Sequence, residues 1–212
     1  SKFIYLYQYI GKNFFKKDSS LIDKKKTPYT FKFAVQQTEN EVFRIGITPK
    51  ESTEILYSNE NIHVTIGYNN GINFSSNSIV NTQFQQYRST EASFAKEVKV
   101  LSNQLNTVQK SRASQQIKDS TQQSIISQYS TLLSARTLSF KNIYNETNNS
   151  LLKDICKLFI LDTLNETNFI TNNTFKNEAL MHGDFIYRKL ELYLSSFGNV
   201  NNQNLIEKIN YF

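Results

Sequence analysis

The residues able to carry acid–base, nucleophilic or metal chemistry are few, because the 212-residue chain has two histidines and one cysteine. His63 falls within an alternating, strand-like pattern, and His182 directly precedes Gly183-Asp184. Neither histidine has a Cys, His or Glu neighbour at the spacing that a metal site needs. His182 and Asp184 could form a catalytic pair, but a turn that starts a helix is the favoured interpretation.

The single cysteine, Cys156, lies between Ile155 and Lys157 in an apolar stretch, which is typical of a small core residue rather than a nucleophile. The chain has no Gly-rich phosphate loop and no Gly-x-Ser-x-Gly elbow. We therefore expect no catalytic residue, no metal ligand and no cofactor. The protein is predicted not to be an enzyme, and an enzyme built on the N-terminal half remains a third, less favoured hypothesis.

Composition excludes several classes of protein. The apolar share is 39%, and no apolar run approaches the roughly 20 residues that span a bilayer. One cysteine excludes a disulfide scaffold and indicates a reducing compartment. The start, Ser1-Lys2-Phe3-Ile4, lacks the layout of a signal peptide, so we expect a cytoplasmic protein, or one peripheral to a membrane through its complex. The abundant Asn, Lys, Ile, Phe and Tyr are typical of an AT-rich genome.

The net charge of +6 is spread along the chain, with its densest runs at Lys16-Lys17 and Lys24–Lys26. A solvated surface is the favoured interpretation of these short runs. The Tyr and Phe residues near the N-terminus alternate with Lys and could stack on bases, but core strands are favoured because the sequence context of an RNA-binding sheet is missing. We therefore expect no direct nucleic-acid partner.

The elements divide the chain into two halves. Residues 72–182 contain neither Gly nor Pro, whereas both prolines and four of the six glycines precede them. Before this stretch, apolar residues alternate with period two, and Thr48–Glu51 resembles a helix start. The alternation predicts strands at Phe3–Tyr7, Tyr29–Val35, Val42–Ile47, Asn61–Tyr68 and Ile72–Phe74.

The second half changes to a helical period. Apolar residues step by three and four from Val98 to Val108, and again from Ile126 to Leu151, as in a long amphipathic helix or coiled coil. The polar stretch between them, residues 109–123, is either a solvated helix or a loop. Residues 145–150 are predicted to break the helix, since short polar side chains compete for backbone hydrogen bonds. Apolar residues 155–161 follow, and residues 185–197 predict a last amphipathic helix.

One stretch of the second half, Ser124–Asn142, resembles the C-terminal helix of the rotary ATPase γ subunit. Ser134-Ala135-Arg136, Lys141-Asn142 and Asn145 fall in register with that family's pattern, while Thr137 and Phe140 stand at positions where it has methionine. Two N-terminal pieces, residues 3–17 and 62–69, are also similar to segments of the family and occur in the same order.

The resemblance implies a small Rossmann-like mixed α/β domain followed by long amphipathic, coiled-coil-like C-terminal helices. The predicted divisions are an α/β domain at residues 1–85, a long helical segment at 86–170 and a helical extension at 171–212. It also implies a non-catalytic central-stalk subunit of an F1-like ATPase. Such a subunit couples ATP hydrolysis in a ring of α/β-type subunits to rotation or force.

Partner contacts are expected along the helical seam, with Arg136 and Lys141 as its polar contacts. The expected contact residues are Ile126, Tyr129, Leu133, Ser134, Ala135, Arg136, Phe140, Lys141, Asn142 and Ile143. The alternative hypothesis is a structural subunit of another large assembly, such as a phage particle, an organelle complex or a ribosome. The amphipathic seam fits that class equally well, because such a helix gains its stability by packing on something else.

Overall fold

The N-terminal half forms an antiparallel sheet. In a computed structural model, which describes residues 3–10, 13–23, 31–33, 40–67, 73–160 and 177–189, four strands pair in the order β2-β1-β3-β4. They are β1 (Phe3–Ile10), β2 (Asn13–Leu21), β3 (Glu41–Gly46) and β4 (Ser52–Tyr57). A separate antiparallel pair is formed by β5 (Val64–Gly67) and β6 (Asn73–Ser76).

This sheet confirms the mixed α/β class and gives no support to the Rossmann-like part of the prediction. A Rossmann-like sheet is mostly parallel, whereas every pair of strands in the described ranges is antiparallel. Short loops such as the one between β3 and β4 permit only antiparallel neighbours, because a parallel pair needs a crossover of a dozen or more residues.

The predicted strands at Phe3–Tyr7, Val42–Ile47, Asn61–Tyr68 and Ile72–Phe74 correspond to β1, β3, β5 and β6. The strand predicted at Tyr29–Val35 lies largely outside the described residues, and its described part, residues 31–33, is not a strand.

The helix start predicted at Thr48–Glu51 is wrong, because this segment is the tight connection between β3 and β4. The Ile47 amide donates to the Glu51 carbonyl at 3.1 Å and closes the turn. Gly46 is required here, since a Cβ at this position would collide with the Glu51 carbonyl.

Within residues 73–160, the second half forms three helices: α1 (Ile79–Lys110), α2 (Gln115–Glu146) and α3 (Ser150–Ile160). α1 and α2 contain 32 residues each and are therefore about 48 Å long. Cross-helix contacts such as Glu91 with Arg136 and Gln109 with Lys118 make them an antiparallel hairpin. The polar stretch predicted at 109–123 thus holds the hairpin turn, and the predicted break at 145–150 is confirmed by the gap before α3.

Local signals set the ends of these helices. The Ser78 hydroxyl accepts from the Asn81 amide and caps the start of α1, and the Ser111 amide donates to Val108 at its end. Lys118 of α2 donates through Nζ to the Gln109 carbonyl at 3.1 Å, which satisfies one of the last carbonyls of α1.

One hydrophobic cluster joins the sheet, the hairpin and the C-terminal part. It contains Val42 and Leu56 of the sheet, Phe84 and Tyr87 of α1, and Phe140 and Ile143 of α2, with most of α3. Residues 177–189, which we call the C-terminal strap, add Leu180, Phe185 and Ile186. The cluster therefore draws on all three of the proposed divisions, whose boundaries remain a prediction. Of the helix predicted at 185–197, residues 185–189 are helical and the rest lies outside the described residues.

Candidate functional site

The outer face of α2, which points away from α1, is the clearest candidate for a partner contact. It consists of Ile126, Leu133 and Leu138 with the small polar residues between them. Ile126 and Leu138 are 57% and 60% exposed. Tyr129 is 42% exposed at the border of this face, and the centroid of its ring lies 6.1 Å from that of Phe94 of α1. A groove of about 370 Å³ follows this face, lined by Ser130, Leu133, Ser134, Thr137, Leu138 and Lys141. Large apolar side chains left in water on one helix face are typical of an interaction surface.

The structure divides the predicted contact residues between two faces of α2. Arg136, Phe140 and Ile143 lie in the seam with α1 or in the core beneath it. Leu133, Ser134 and Lys141 line the outer groove, and Ala135 lines a second groove of about 300 Å³ beside α1. Asn142 is exposed. The residues that were expected on one seam therefore serve two surfaces.

Of the residues expected in the seam, Tyr129 does contact α1, since the ring centroids of Tyr129 and Phe94 lie 6.1 Å apart, whereas Ile126 is 57% exposed outside the seam. Ile125 is 8% exposed and lies in the seam in place of Ile126. The sequence carries two adjacent apolar pairs, Ile125-Ile126 and Leu132-Leu133, so that each face receives one member of each pair. Apolar steps of three and four residues fit either member of each pair, so the sequence pattern alone cannot tell which member faces α1.

A chain of ion pairs crosses the junction of the sheet, the hairpin and the C-terminal strap. Arg88 of α1 lies 2.9 Å from Glu54 of β4 and 3.5 Å from Asp184 of the strap. Arg188 lies 2.6 Å from Asp184 and 3.4 Å from Glu91. Sequence reasoning missed this network, because its members are far apart in the chain and follow no local spacing.

Arg136 forms the last ion pair of this network, and its guanidinium also contacts aromatic rings. Its Nε lies 2.5 Å from Glu91, and both side chains are about 10% exposed. Its guanidinium lies 4.7 to 5.1 Å from the ring centroids of Phe94, Phe140 and Phe159. A planar cation can stack on rings and pair with a carboxylate at once, which explains why this position of the seam carries arginine.

His182 is held by the sheet rather than by Asp184. Its Nδ1 lies 2.6 Å from the buried Glu41 carboxylate of β3, and the Gln8 amide contacts both groups. Asp184 pairs instead with Arg88 and Arg188, and the helix at residues 185–189 follows at once, so the predicted helix-starting turn is confirmed. In the described part of the chain His182 contacts no nucleophile. Its contacts with Glu41 and Gln8 join the C-terminal strap to the sheet.

The remaining chemically active groups are buried. Burial raises the pKa of Cys156 to about 12, so the thiol is held in its unreactive neutral form. Burial also raises the pKa of Tyr87 well above its ordinary value, and the Glu91 carboxylate raises it further. Within the ranges that the structure describes, no three acidic, histidine or cysteine residues are grouped to hold a metal. No helix there is both long and apolar enough to cross a membrane.

Comparison of the chain with protein-family models, with curated proteins and with solved structures finds no match. The assignment of a function therefore depends on the surfaces described above.

Proposed function

We propose that this protein is a non-catalytic subunit of a larger protein assembly, and that the outer face of α2 carries the contact with a partner. The observation that supports the proposal is that this face carries exposed apolar side chains and little charge, with Lys141 as the charged residue that lines its groove. Between Asp119 and Lys141 the only charged residue is Arg136, and it pairs with Glu91 on the other side of the helix.

The energy available from this face is large enough to matter. Covering a fully exposed Ile or Leu gains about 1.5–3 kcal/mol, so Ile126 and Leu138 alone offer a few kcal/mol on docking. Small residues such as Ser130 and Ser134 line the same groove and leave room for a closely packed helix. A second subunit that presents an uncharged apolar helix face would complement it.

The specific form of the proposal is a γ-like central stalk of an F1-like ATPase. In this form the α1–α2 hairpin acts as a coiled-coil-like arm about 48 Å long, and a ring of α/β-type ATPase subunits contacts Ser134, Lys141 and Asn142. ATP hydrolysis in that ring drives rotation or force through the arm. The resemblance around Ser134-Ala135-Arg136 supports this form, and the protein itself hydrolyses nothing.

The test is purification of the tagged protein from its native cell under mild conditions, followed by lysine cross-linking and mass spectrometry. Recovery of α/β-type ATPase subunits cross-linked to Lys141 is the expected result. The matched pair of variants is Ile126→Glu and Ile117→Glu, because both side chains are 57% exposed on α2 but Ile117 lies on the opposite side of the helix. Only Ile126→Glu should release the partner.

Other outcomes separate the two levels of the proposal. Partners that contain no ATPase subunit but are lost only with Ile126→Glu would remove the γ-like form and keep the assembly subunit. Equal loss of partners with both variants, or with neither, would overturn the assignment of the outer face.

A further inference from the structure

The two edges of the four-stranded sheet are treated differently. At the β4 edge, Asn81 of α1 donates to the Leu56 carbonyl at 2.7 Å and accepts from the Leu56 amide at 2.9 Å. Gln85, one turn further along α1, donates to the Glu54 carbonyl at 2.7 Å. Two side-chain amides thus replace a missing strand and close this edge.

At the β2 edge the described residues contact the C-terminal end, where the Lys32 amide donates to the Ser20 hydroxyl at 3.1 Å, while residues 13–17 of β2 are exposed. The expectation that the N-terminal aromatic residues belong to core strands holds for Tyr7, which is 6% exposed, but is wrong for Phe14 and Phe15, which are 39% and 49% exposed. Lys17 has no paired residue on β1, because the register of the two strands shifts at this position. Lysines and a register irregularity are the features by which an edge strand resists the addition of another strand.

One face of β1 and β2 carries aromatic rings together with cations. Phe3, Tyr5 and Tyr7 lie on the same side of β1, with neighbouring ring centroids 6.4 and 6.0 Å apart. On β2, Lys16 pairs with Tyr7 in the register, and its Nζ lies 3.8 Å from the centroid of the Tyr5 ring. The Lys16 ammonium is therefore held over an aromatic ring of the same face.

The same face continues onto the neighbouring strand. Arg44 of β3 is also opposite Tyr7, and its guanidinium lies 5.6 Å from the centroid of Phe14. We define the aromatic–basic face as Phe3, Tyr5, Phe14, Lys16 and Arg44. One core cluster of the sheet, with Ile4, Leu6 and Phe43, lies on the opposite side. Val42 and Leu56 of the main cluster lie on the same side as Arg44, at the β3–β4 end of the sheet. At the β1–β2 end Phe3 and Phe14 remain 42% and 39% exposed, so this end of the face is open to a ligand.

We infer that the aromatic–basic face binds single-stranded nucleic acid. Proteins bind single strands by stacking bases on aromatic side chains while Lys and Arg contact the phosphates, and this face supplies both groups together. The net charge of +6 favours a polyanion as the ligand. A partner strand is disfavoured by the lysines and the register irregularity at the β2 edge, and a duplex is disfavoured because its bases are already stacked.

The test is fluorescence anisotropy of the full chain with a labelled single-stranded oligo-U and oligo-dT of about 12 nucleotides. We expect saturable binding that weakens as salt rises from about 50 to 200 mM. Phe14→Leu, which keeps an apolar side chain but removes the ring, should weaken binding by about fivefold or more. Exposed Ile117 lies on the hairpin, and Ile117→Ala should leave binding unchanged.

The charge control uses two pairs of exposed lysines. Lys16→Gln/Lys17→Gln should reduce the slope of log K against log salt by about 0.7 to 1.4, since each phosphate contact on a single strand contributes about 0.7 and Lys17 is adjacent to Lys16 of the face. Lys96→Gln/Lys99→Gln on α1 removes the same charge from a distant surface and should leave the slope unchanged.

Three results would overturn the inference: no saturable binding at low salt, equal losses with the two lysine pairs, or equally tight binding of a duplex of the same sequence. Preference for RNA over DNA, or the reverse, identifies the natural strand and supports the inference in either case. None of these variants lies on the outer face of α2, so this inference and the proposed assembly role can fail separately.

Discussion

Arg136 shows at the scale of one residue how a polar group can be built into a helical seam. Its guanidinium touches three aromatic rings and pairs with Glu91, which also receives Arg188. Lysine carries the same charge but has no plane to stack. We therefore expect Arg136→Lys to lower the free energy of unfolding by about 1–2 kcal/mol in urea titrations.

The control for this prediction is Arg112→Lys, because Arg112 is exposed in the turn between α1 and α2. That change should stay within about 0.5 kcal/mol of the parent protein. Equal stability of the two variants would mean that the ring contacts of Arg136 contribute nothing.

Tyr87 carries a hydroxyl that finds no hydrogen-bond partner in the described part of the structure, although the side chain is fully buried. A buried polar group left unpaired costs about 1–3 kcal/mol. Tyr87→Phe should therefore leave the free energy of unfolding unchanged or raise it by about 1 kcal/mol. Tyr7→Phe should have the opposite sign, because the Tyr7 hydroxyl donates to the Ile47 carbonyl at 3.4 Å. A clear loss of stability in Tyr87→Phe would contradict this account.

The buried thiol of Cys156 is expected to lower the free energy of unfolding as the pH becomes alkaline. Its ordinary pKa is 9.0, and burial raises it to about 12 in the folded chain. The unfolded chain therefore loses this proton first, so the contribution is complete below pH 9 and is lost as pH rises from 9 towards 12. The cost is at most about 1.4 kcal/mol per pH unit. Unfolding titrations at pH 8 and above should show a steeper fall for the parent than for Cys156→Ala.

At the scale of the element, the rotation of α2 about its axis decides which of two adjacent isoleucines packs against α1. Ile125 is 8% exposed in the seam, whereas Ile126 is 57% exposed on the outer face. Truncation of the buried side chain should cost about 2–4 kcal/mol, and truncation of the exposed one about 0.5 kcal/mol or less. Urea unfolding of Ile125→Ala and Ile126→Ala measures both, and a reversed order would mean that the helix is rotated by one residue.

At the scale of the whole molecule, the C-terminal strap fastens the sheet to the hairpin. His182 contacts Glu41 of β3, and Asp184 contacts Arg88 of α1. Removing both contacts in His182→Ala/Asp184→Asn should loosen the strap, and hydrogen exchange of residues 177–189 should quicken by about tenfold or more. Glu178→Gln, at an exposed position of the same segment, should leave exchange unchanged. Equal exchange in both variants would show that the apolar contacts of Leu180 and Phe185 hold the strap alone.

Local signals explain how much of this fold could be predicted. The strands β1, β3, β5 and β6 follow an alternating pattern, and the helices follow the absence of Gly and Pro with apolar steps of three and four. The break between α2 and α3 follows from the short polar side chains of residues 145–150. β2 and β4 were not predicted. β4 follows the segment that was interpreted as a helix start. The sequence of β2 is a polar, aromatic and basic segment without a buried face, and pairing with β1 makes it a strand.

The sequence by itself determined that the chain is mixed α/β with long amphipathic helices and few groups suited to catalysis. Only the tertiary structure decided which member of Ile125-Ile126 faces α1, which aromatic residues are exposed on β2, and which carboxylates meet Arg88, Arg136 and His182. The physical reason is one of distance. Backbone preferences and periodicity act over a few neighbouring residues, whereas burial and ion pairing are set by groups such as Glu41 and His182 that meet only when the chain folds.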